Sequence, residues 1–162
     1  MAGRVPVPGG RAERGPADTV LGDVQEVTTI RLLKLYIAAS LDGYIAGHEG
    51  EIDWLDAGGD LDYGYQEFYE SVDTTLMGNS TYPLTLTVDE FPYKKKTNYV
   101  FTRGTPPADT EYVRFVSGDI SAFVRSLKEA PGEDIWLVGG GQINTVMLND
   151  GLIDEIILTV FP

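Results

Sequence analysis

Apolar residues in this chain come in short runs that end on small residues or glycine, and each run gives way to apolar positions at helical spacing. The first run, Leu32-Leu33-Lys34-Leu35-Tyr36-Ile37-Ala38-Ala39, is nearly continuous, as in a strand buried on both faces. Ser40-Leu41-Asp42-Gly43 turns out of it. Leu61, Tyr65, Phe68, Tyr69 and Val72 then fall at i, i+4, i+7, i+8 and i+11, which predicts an amphipathic helix of about three turns. Asp60 or Asp62 is placed to cap it. Asp73 to Met77 predicts a short strand, and Gly78-Asn79-Ser80-Thr81-Tyr82 a turn into a short helix, with Pro83 where its missing N–H costs nothing. Thr97 to Phe101 and Tyr112 to Val116 are two further strands. Ile120, Phe123, Val124 and Leu127 mark a helix that starts near Asp119 and closes at Ala130-Pro131-Gly132. Ile135-Trp136-Leu137-Val138 is a buried strand that runs into Gly139-Gly140-Gly141. Ile143, Val146 and Met147 give the next helix its apolar face, and Asp154 to Phe161 is the last strand.

Strands alternating with helices predict an α/β domain with a mainly parallel central sheet and helices on both faces. Ligands of such sheets sit at the carboxyl ends of the strands. Ala39, Gly78, Arg103 and Gly139 all fall at those ends, so they converge on one rim. A strand, a glycine turn and a helix start can aim backbone N–H groups at an anion, and a Cβ would block the close approach. The alternative is a tight structural turn. The spacing is not the dinucleotide fingerprint G-x-G-x-x-G, since Gln142, Ile143 and Asn144 follow the run. The turn at Gly78 repeats the arrangement and offers a second set of N–H groups. Arg103, beside the Thr102 hydroxyl, suits bidentate capture of a phosphate monoester, or is an ordinary surface arginine. Ala38 and Ala39 leave room for a flat ligand or for a packed helix. Trp54 either caps a pocket or anchors its acidic, glycine-flanked loop. His48 has no partner at metal-ligand spacing and reads as surface, so no metal site is expected. Lys94-Lys95-Lys96 reads as a solvated loop.

Composition narrows the function. The 162 residues suit one domain with a sizeable core. A net charge of −13 argues against nucleic acid and against anionic membrane surfaces. Cysteine is absent, which excludes disulfides and thiolate chemistry and fits a cytoplasmic protein. No stretch is long and apolar enough to span a membrane. Residues 1–29, with Gly9-Gly10, scattered charges and no sustained periodicity, read as a disordered extension rather than a secretory signal. The domain proper is expected over 30–162.

Taken in order, these pieces resemble the dihydrofolate reductase-like family, and more closely the reductase domain of bacterial riboflavin biosynthesis with its uncharacterised relatives. The opening strand with Ala38-Ala39 and Ser40-Leu41-Asp42-Gly43-Tyr44-Ile45-Ala46 resembles the family's first strand and mobile loop. Leu76-Met77-Gly78-Asn79-Ser80-Thr81-Tyr82 resembles its Met-Gly-Arg-x-Thr-aromatic segment. Phe101-Thr102-Arg103 resembles the strand end that holds the 2′-phosphate of NADPH, and Val138-Gly139-Gly140-Gly141 the glycine run under the diphosphate and nicotinamide, often with a cis glycine–glycine bond. The resemblance implies NADPH as cofactor, held by Ala39, Ile45, Gly78, Ser80, Thr81, Thr102, Arg103, Gly139, Gly140, Gly141 and Gln142. It implies a substrate pocket that includes Ala38, Trp54, Phe68 and Thr159, and a homodimer as a possible assembly.

Three departures qualify it. Asn79 stands where the family usually has arginine. The proton-relay carboxylate of the folate-reducing enzymes would fall near Gly64, so dihydrofolate reduction proper is not expected. The chain stops after the Thr159 strand, where relatives continue through further strands including a terminal hairpin, so an uncovered sheet edge is expected. No catalytic acid stands out, and Asp42 and Asp53 are loop candidates only. The leading expectation is an NADPH-dependent reductase that passes hydride to a small heterocycle (pterin- or pyrimidine-like) or a carbonyl. The alternatives are a non-catalytic nucleotide-binding or dimerisation module, and an unrelated α/β domain such as a flavodoxin-like one with purely structural glycine turns.

Overall fold

A computed structural model describes residues 30–58, 62–86 and 90–161, without the side chains of 56–58. The expected extension at 1–29 and the first helical position, Leu61, lie outside the described residues. Six strands form one sheet: β1 (Leu33–Ser40), β2 (Val72–Gly78), β3 (Thr97–Phe101), β4 (Val113–Val116), β5 (Asp134–Gly139) and β6 (Glu155–Phe161). Their order is β4-β3-β2-β5-β1-β6, and every neighbouring pair is parallel. Parallel strands need crossovers. These carry α1 (Tyr65–Glu70), α2 (Tyr82–Thr85), α3 (Ile120–Glu129) and α4 (Gly141–Asn149), with a 3₁₀ turn at Asp53–Gly58. The predicted α/β class and parallel sheet are what the chain forms. No helix of the described residues is long and apolar enough to cross a membrane.

Alternation along β1 divides the core in two. Leu33 and Leu35 face α3 and α4, where Leu76, Leu137, Val124, Ile143 and Met147 close one cluster. Tyr36 points to the other face and joins Phe68, Val72, Trp136 and Tyr93 in an aromatic cluster beneath α1. β5 lies between β2 and β1, and its Ile135 and Leu137 are fully buried. β6 is an edge strand. Its outward row, Ile156, Leu158 and Val160, stays about half exposed at 52%, 53% and 54%.

Two sequence expectations need correction. The helix expected from Leu61 to Val72 is only Tyr65–Glu70, because Tyr63 (φ 49°) and Gly64 (φ 79°) are left-handed and Val72 already belongs to β2. Gly64 is its N-cap and makes no side-chain cap, while the Asp62 carboxylate two positions earlier accepts the Gln66 N–H at 3.2 Å; Asp60 lies outside the described residues. Lys96, read as part of a solvated run, instead donates to the carbonyls of Tyr69 at 2.7 Å and Val72 at 2.6 Å and lies 4.1 Å from the centre of the Tyr69 ring. The Tyr69 carbonyl lies in the last turn of α1, at its negative end, where a cation is favoured. Partial burial holds the Lys96 ammonium pKa below its usual value.

Arg31 fastens the opposite rim of the sheet. Its side chain is 4% exposed and bonds to the Asp73 carboxylate, the Glu133 carbonyl and the Thr74 hydroxyl, the last at 2.7 Å. It thereby ties the entry of β1 to the starts of β2 and β5, far from the carboxyl ends where the glycine turns lie.

Candidate functional site

The site begins where β5 gives out. Gly139 is left-handed (φ 117°), its peptide bond to Gly140 is cis, and Gly140 is the N-cap of α4. The first helical hydrogen bond runs from the Asn144 N–H to the Gly140 carbonyl at 3.0 Å. The N–H groups of Gly141, Gln142 and Ile143 precede it and have no intrahelical acceptor. A Cβ on Gly140 would lie 3.0 Å from the Thr81 hydroxyl, so the turn after β2 sits directly against this one. The two turns are not equivalent donors, however. The Asn79 N–H is bonded to the Phe101 carbonyl and the Thr81 N–H to the Gly78 carbonyl, both at 3.0 Å. The second turn therefore presents the hydroxyls of Ser80 and Thr81 more than a row of N–H groups.

Two cavities meet at these turns. One, of about 550 Å³, lies over the ends of β2 and β3 and the start of α4; Gly78, Ser80, Thr102, Arg103, Gly140 and Gln142 line it. Arg103 is the one cation among its described lining residues, and its guanidinium donates to Gln142 Oε1 at 2.9 Å. The adjacent Thr102 hydroxyl is buried without a hydrogen-bond partner. The other cavity, of about 690 Å³, lies between the end of β1, the loop that follows it and α2; Tyr36, Ala38, Ile45, Thr81, Tyr93 and Val138 are among its walls. Ser80 and Gly140 belong to both. Ile45 closes the junction, with Cδ1 3.8 Å from where a Cβ on Gly141 would be.

The second cavity is aromatic and hydroxylated. The Tyr36 ring stacks on Phe68 at 4.5 Å, and its hydroxyl donates to the Tyr63 carbonyl at 3.0 Å. Burial pushes the Tyr36 phenol up, outweighing a hydrogen bond with Thr159 that favours ionisation. Burial among Tyr65 and Tyr69 pushes Tyr93 up strongly. Both phenols therefore stay protonated at neutral pH and cannot act as bases; the Tyr36 proton is committed to the Tyr63 carbonyl.

Gly78, Ser80, Thr102, Arg103, Gly140 and Gln142 come together in the first cavity, and Ala38, Ile45, Thr81 and Gly141 in the second. Ala39 does not join them: it is 8% exposed and faces the opposite side of β1 from Ala38. Gly139 is buried behind the rim. Thr159 reaches the site only through Tyr36. Trp54 packs its ring against Phe161 at 5.5 Å, which makes it the loop's anchor, and Phe68 is a core residue under Tyr36; neither lines a cavity. The Asp42 carboxylate accepts the Ser40 hydroxyl at 2.6 Å, and neither it nor Asp53 lines the ring cavity. Tyr36 and Tyr93 escaped the sequence reading. For Tyr36 there was a signal, because it lies two positions before Ala38 and so on the same strand face. Tyr93, in a proline- and lysine-rich loop, gave none.

The profile of the RibD C-terminal domain family matches residues 31–162. The chain belongs to that family. Two curated relatives from Bacillus subtilis (strain 168) are similar over most of their length. YwjB, an uncharacterized protein, is 44% identical over 130 residues, which are 79% of this chain and 75% of the relative. YyaP, also uncharacterized, is 35% identical over 144 residues, 82% and 75% of the two chains. Among solved structures, a putative riboflavin biosynthesis protein from Shewanella sp. PV-4 superimposes with a TM-score of 0.70 at 31% identity, over 81% of this chain and 77% of that one. Dihydrofolate reductase from Enterococcus faecalis, complexed with NADP(H), gives a TM-score of 0.56 at 18% identity over 81% and 73%, a likeness of fold. This member of the RibD C-terminal domain family thus has the reductase-type fold that its motifs resembled.

Proposed function

We propose that this RibD C-terminal domain protein is an NADPH-dependent reductase that passes hydride to a small heterocyclic or carbonyl compound. The observation that carries this reading is the pair of cavities joined at Ser80 and Gly140, one with an arginine and a helix N-terminus, the other ring-lined. Such a shape suits a dinucleotide whose diphosphate lies at the junction. Two local features fit the cofactor: the buried, unpartnered Thr102 hydroxyl beside Arg103, and a glycine cradle that a Cβ at Gly140 would fill. When bound, NADPH supplies the hydride and its two electrons. The chain supplies the rest. The N–H groups at the start of α4 and the Ser80 and Thr81 hydroxyls hold the diphosphate. Arg103, which now donates to Gln142, would hold the adenosine 2′-phosphate. Ala38 and Ile45 leave space for the nicotinamide ring. With no carboxyl or imidazole among the described residues lining the ring cavity, the accompanying proton comes from water ordered by the hydroxyls.

Calorimetric titration tests this. NADPH is expected to bind more tightly than NADH by roughly tenfold to a hundredfold, the worth of one charge-assisted phosphate contact. Arg103→Ala should erase that preference while leaving NADH affinity nearly unchanged. Binding of neither cofactor by folded protein would overturn the proposal.

A further inference from the structure

The ring cavity has an unusual inventory of side chains. Its described walls include Tyr36, Tyr44, Ile52, Thr85, Tyr93 and Val138, and no Asp, Glu, Lys, Arg or His. The internal stretches outside the description, 59–61 and 87–89, and the 56–58 side chains contain neither lysine nor arginine in the sequence. None of the Lys or Arg residues among the described residues lines this cavity, and several are engaged elsewhere. Lys34 pairs with Asp134 at 2.8 Å near the strand starts, Lys128 with Asp154 at 2.6 Å, and Lys96 with the two carbonyls near the end of α1. Arg103 belongs to the other cavity.

Resting on the reductase reading above, we propose that the substrate of this cavity is an uncharged, flat ring system bearing no phosphate or carboxylate. Aromatic faces and hydroxyls recognise it. A phosphate or carboxylate placed there would lose its water without gaining a counter-charge, which is the costly way to bury an ion. The long-range field adds to this, since the chain carries a net charge of −13 and repels anions from an opening whose described walls hold no cation. A flat neutral ring meets none of these penalties. It can lie against the Tyr36 and Tyr93 rings and take a hydrogen bond from the Tyr93 phenol, since the Tyr36 hydroxyl already donates to the Tyr63 carbonyl. The helix N-terminus that could otherwise serve a substrate anion is occupied, in this reading, by the cofactor diphosphate. The reaction balances without a leaving group: the ring gains a hydride from NADPH and a proton from water, and NADP⁺ is released.

The test uses two probes that share one ring and differ by one phosphate, riboflavin and flavin mononucleotide. Calorimetry first establishes whether NADP⁺ binds. Each probe is then titrated by fluorescence quenching with NADP⁺ saturating, and again on Arg103→Ala, so that the phosphate of the mononucleotide cannot report on the other cavity. Riboflavin is expected to bind at least tenfold more tightly than the mononucleotide in both settings. Ile52→Arg, at the partly exposed mouth, should bring the mononucleotide to parity or better. Equal or tighter binding of the mononucleotide to the unaltered cavity, or quenching by neither probe, would overturn the proposal. Failure of NADP⁺ to bind, with the preference for riboflavin intact, would sink the reductase reading and leave the ring class standing.

Discussion

At Gly139 the backbone and its surroundings agree that no side chain belongs. Its φ of 117° lies where L-residues rarely go, and an added Cβ would sit 3.3 Å from the Asn144 amide nitrogen. Gly139→Ala should therefore cost about 1–3 kcal/mol, read as a lower urea midpoint, with cofactor affinity falling alongside because the α4 donors shift. Gly43, also left-handed (φ 88°) but in open space, isolates the backbone part of that cost. Arg31→Leu should cost about 1–3 kcal/mol by the same measurement, since it removes the donor to the Glu133 carbonyl and leaves the Asp73 carboxylate without its counter-charge. An unchanged midpoint would mean that the fastening of β1 to β2 and β5 lies elsewhere. The two residues were unequally legible. A run of three glycines after an apolar strand announces a special backbone, whereas an arginine just before an apolar run looks like any solvated residue. Its partners, Asp73 and Glu133, lie 42 and 102 positions away.

Elements were easier to read than their margins. Near-continuous apolar runs gave the strands, because a parallel sheet covered on both faces leaves no polar side to alternate with. The helix α1 was read too long, because apolar spacing does not register the left-handed backbone at Tyr63 and Gly64. Phe68 shows a second limit: periodicity puts it on the buried face of α1 but cannot say whether that face meets core or cavity. The same contrast of burial separates two leucines in neighbouring environments. Leu137→Ala, on a central strand and fully buried, should cost about 2–5 kcal/mol; Leu158→Ala, half exposed on the edge strand, should cost less than about 1 kcal/mol. The aromatic layer under α1 makes an alkaline prediction. Burial raises the Tyr65 phenol from 10.0 to about 12 and raises Tyr93 further. The unfolded chain loses these protons first, so their contribution is intact below pH 10 and is lost as pH climbs from 10 toward 12. Melting temperatures across that range should fall, and less steeply in Tyr65→Phe and Tyr93→Phe. Parallel curves for all three proteins would show that the layer does not govern alkaline unfolding.

Across the whole molecule, the excess of acid sets how a charged cofactor arrives. On the proposed reading, an anionic dinucleotide would approach a chain of net charge −13 and be captured by one arginine. The long-range repulsion extends over a Debye length, roughly 30 Å at 0.01 M salt and about 8 Å at 0.15 M. NADPH association should therefore speed up with moderate salt in stopped-flow mixing, the reverse of the usual steering by a basic cleft. A rate that falls with salt would mean that the local field at Arg103 outweighs the global one. Composition foretold the charge, and strand ends foretold the rim. Neither could show that the rim divides into two chambers, because that depends on how the loop after β1 and the α2 segment close over it.

The division has an evolutionary corollary. Among the described residues only Ser80 and Gly140 line both chambers, so substitutions in the loop after β1, in α2 or around Tyr93 alter one pocket without touching the other. If the first chamber holds the coenzyme as proposed, relatives could keep it and differ in what the second accepts, and the walls to compare among them are those around Tyr36, Ile52 and Tyr93.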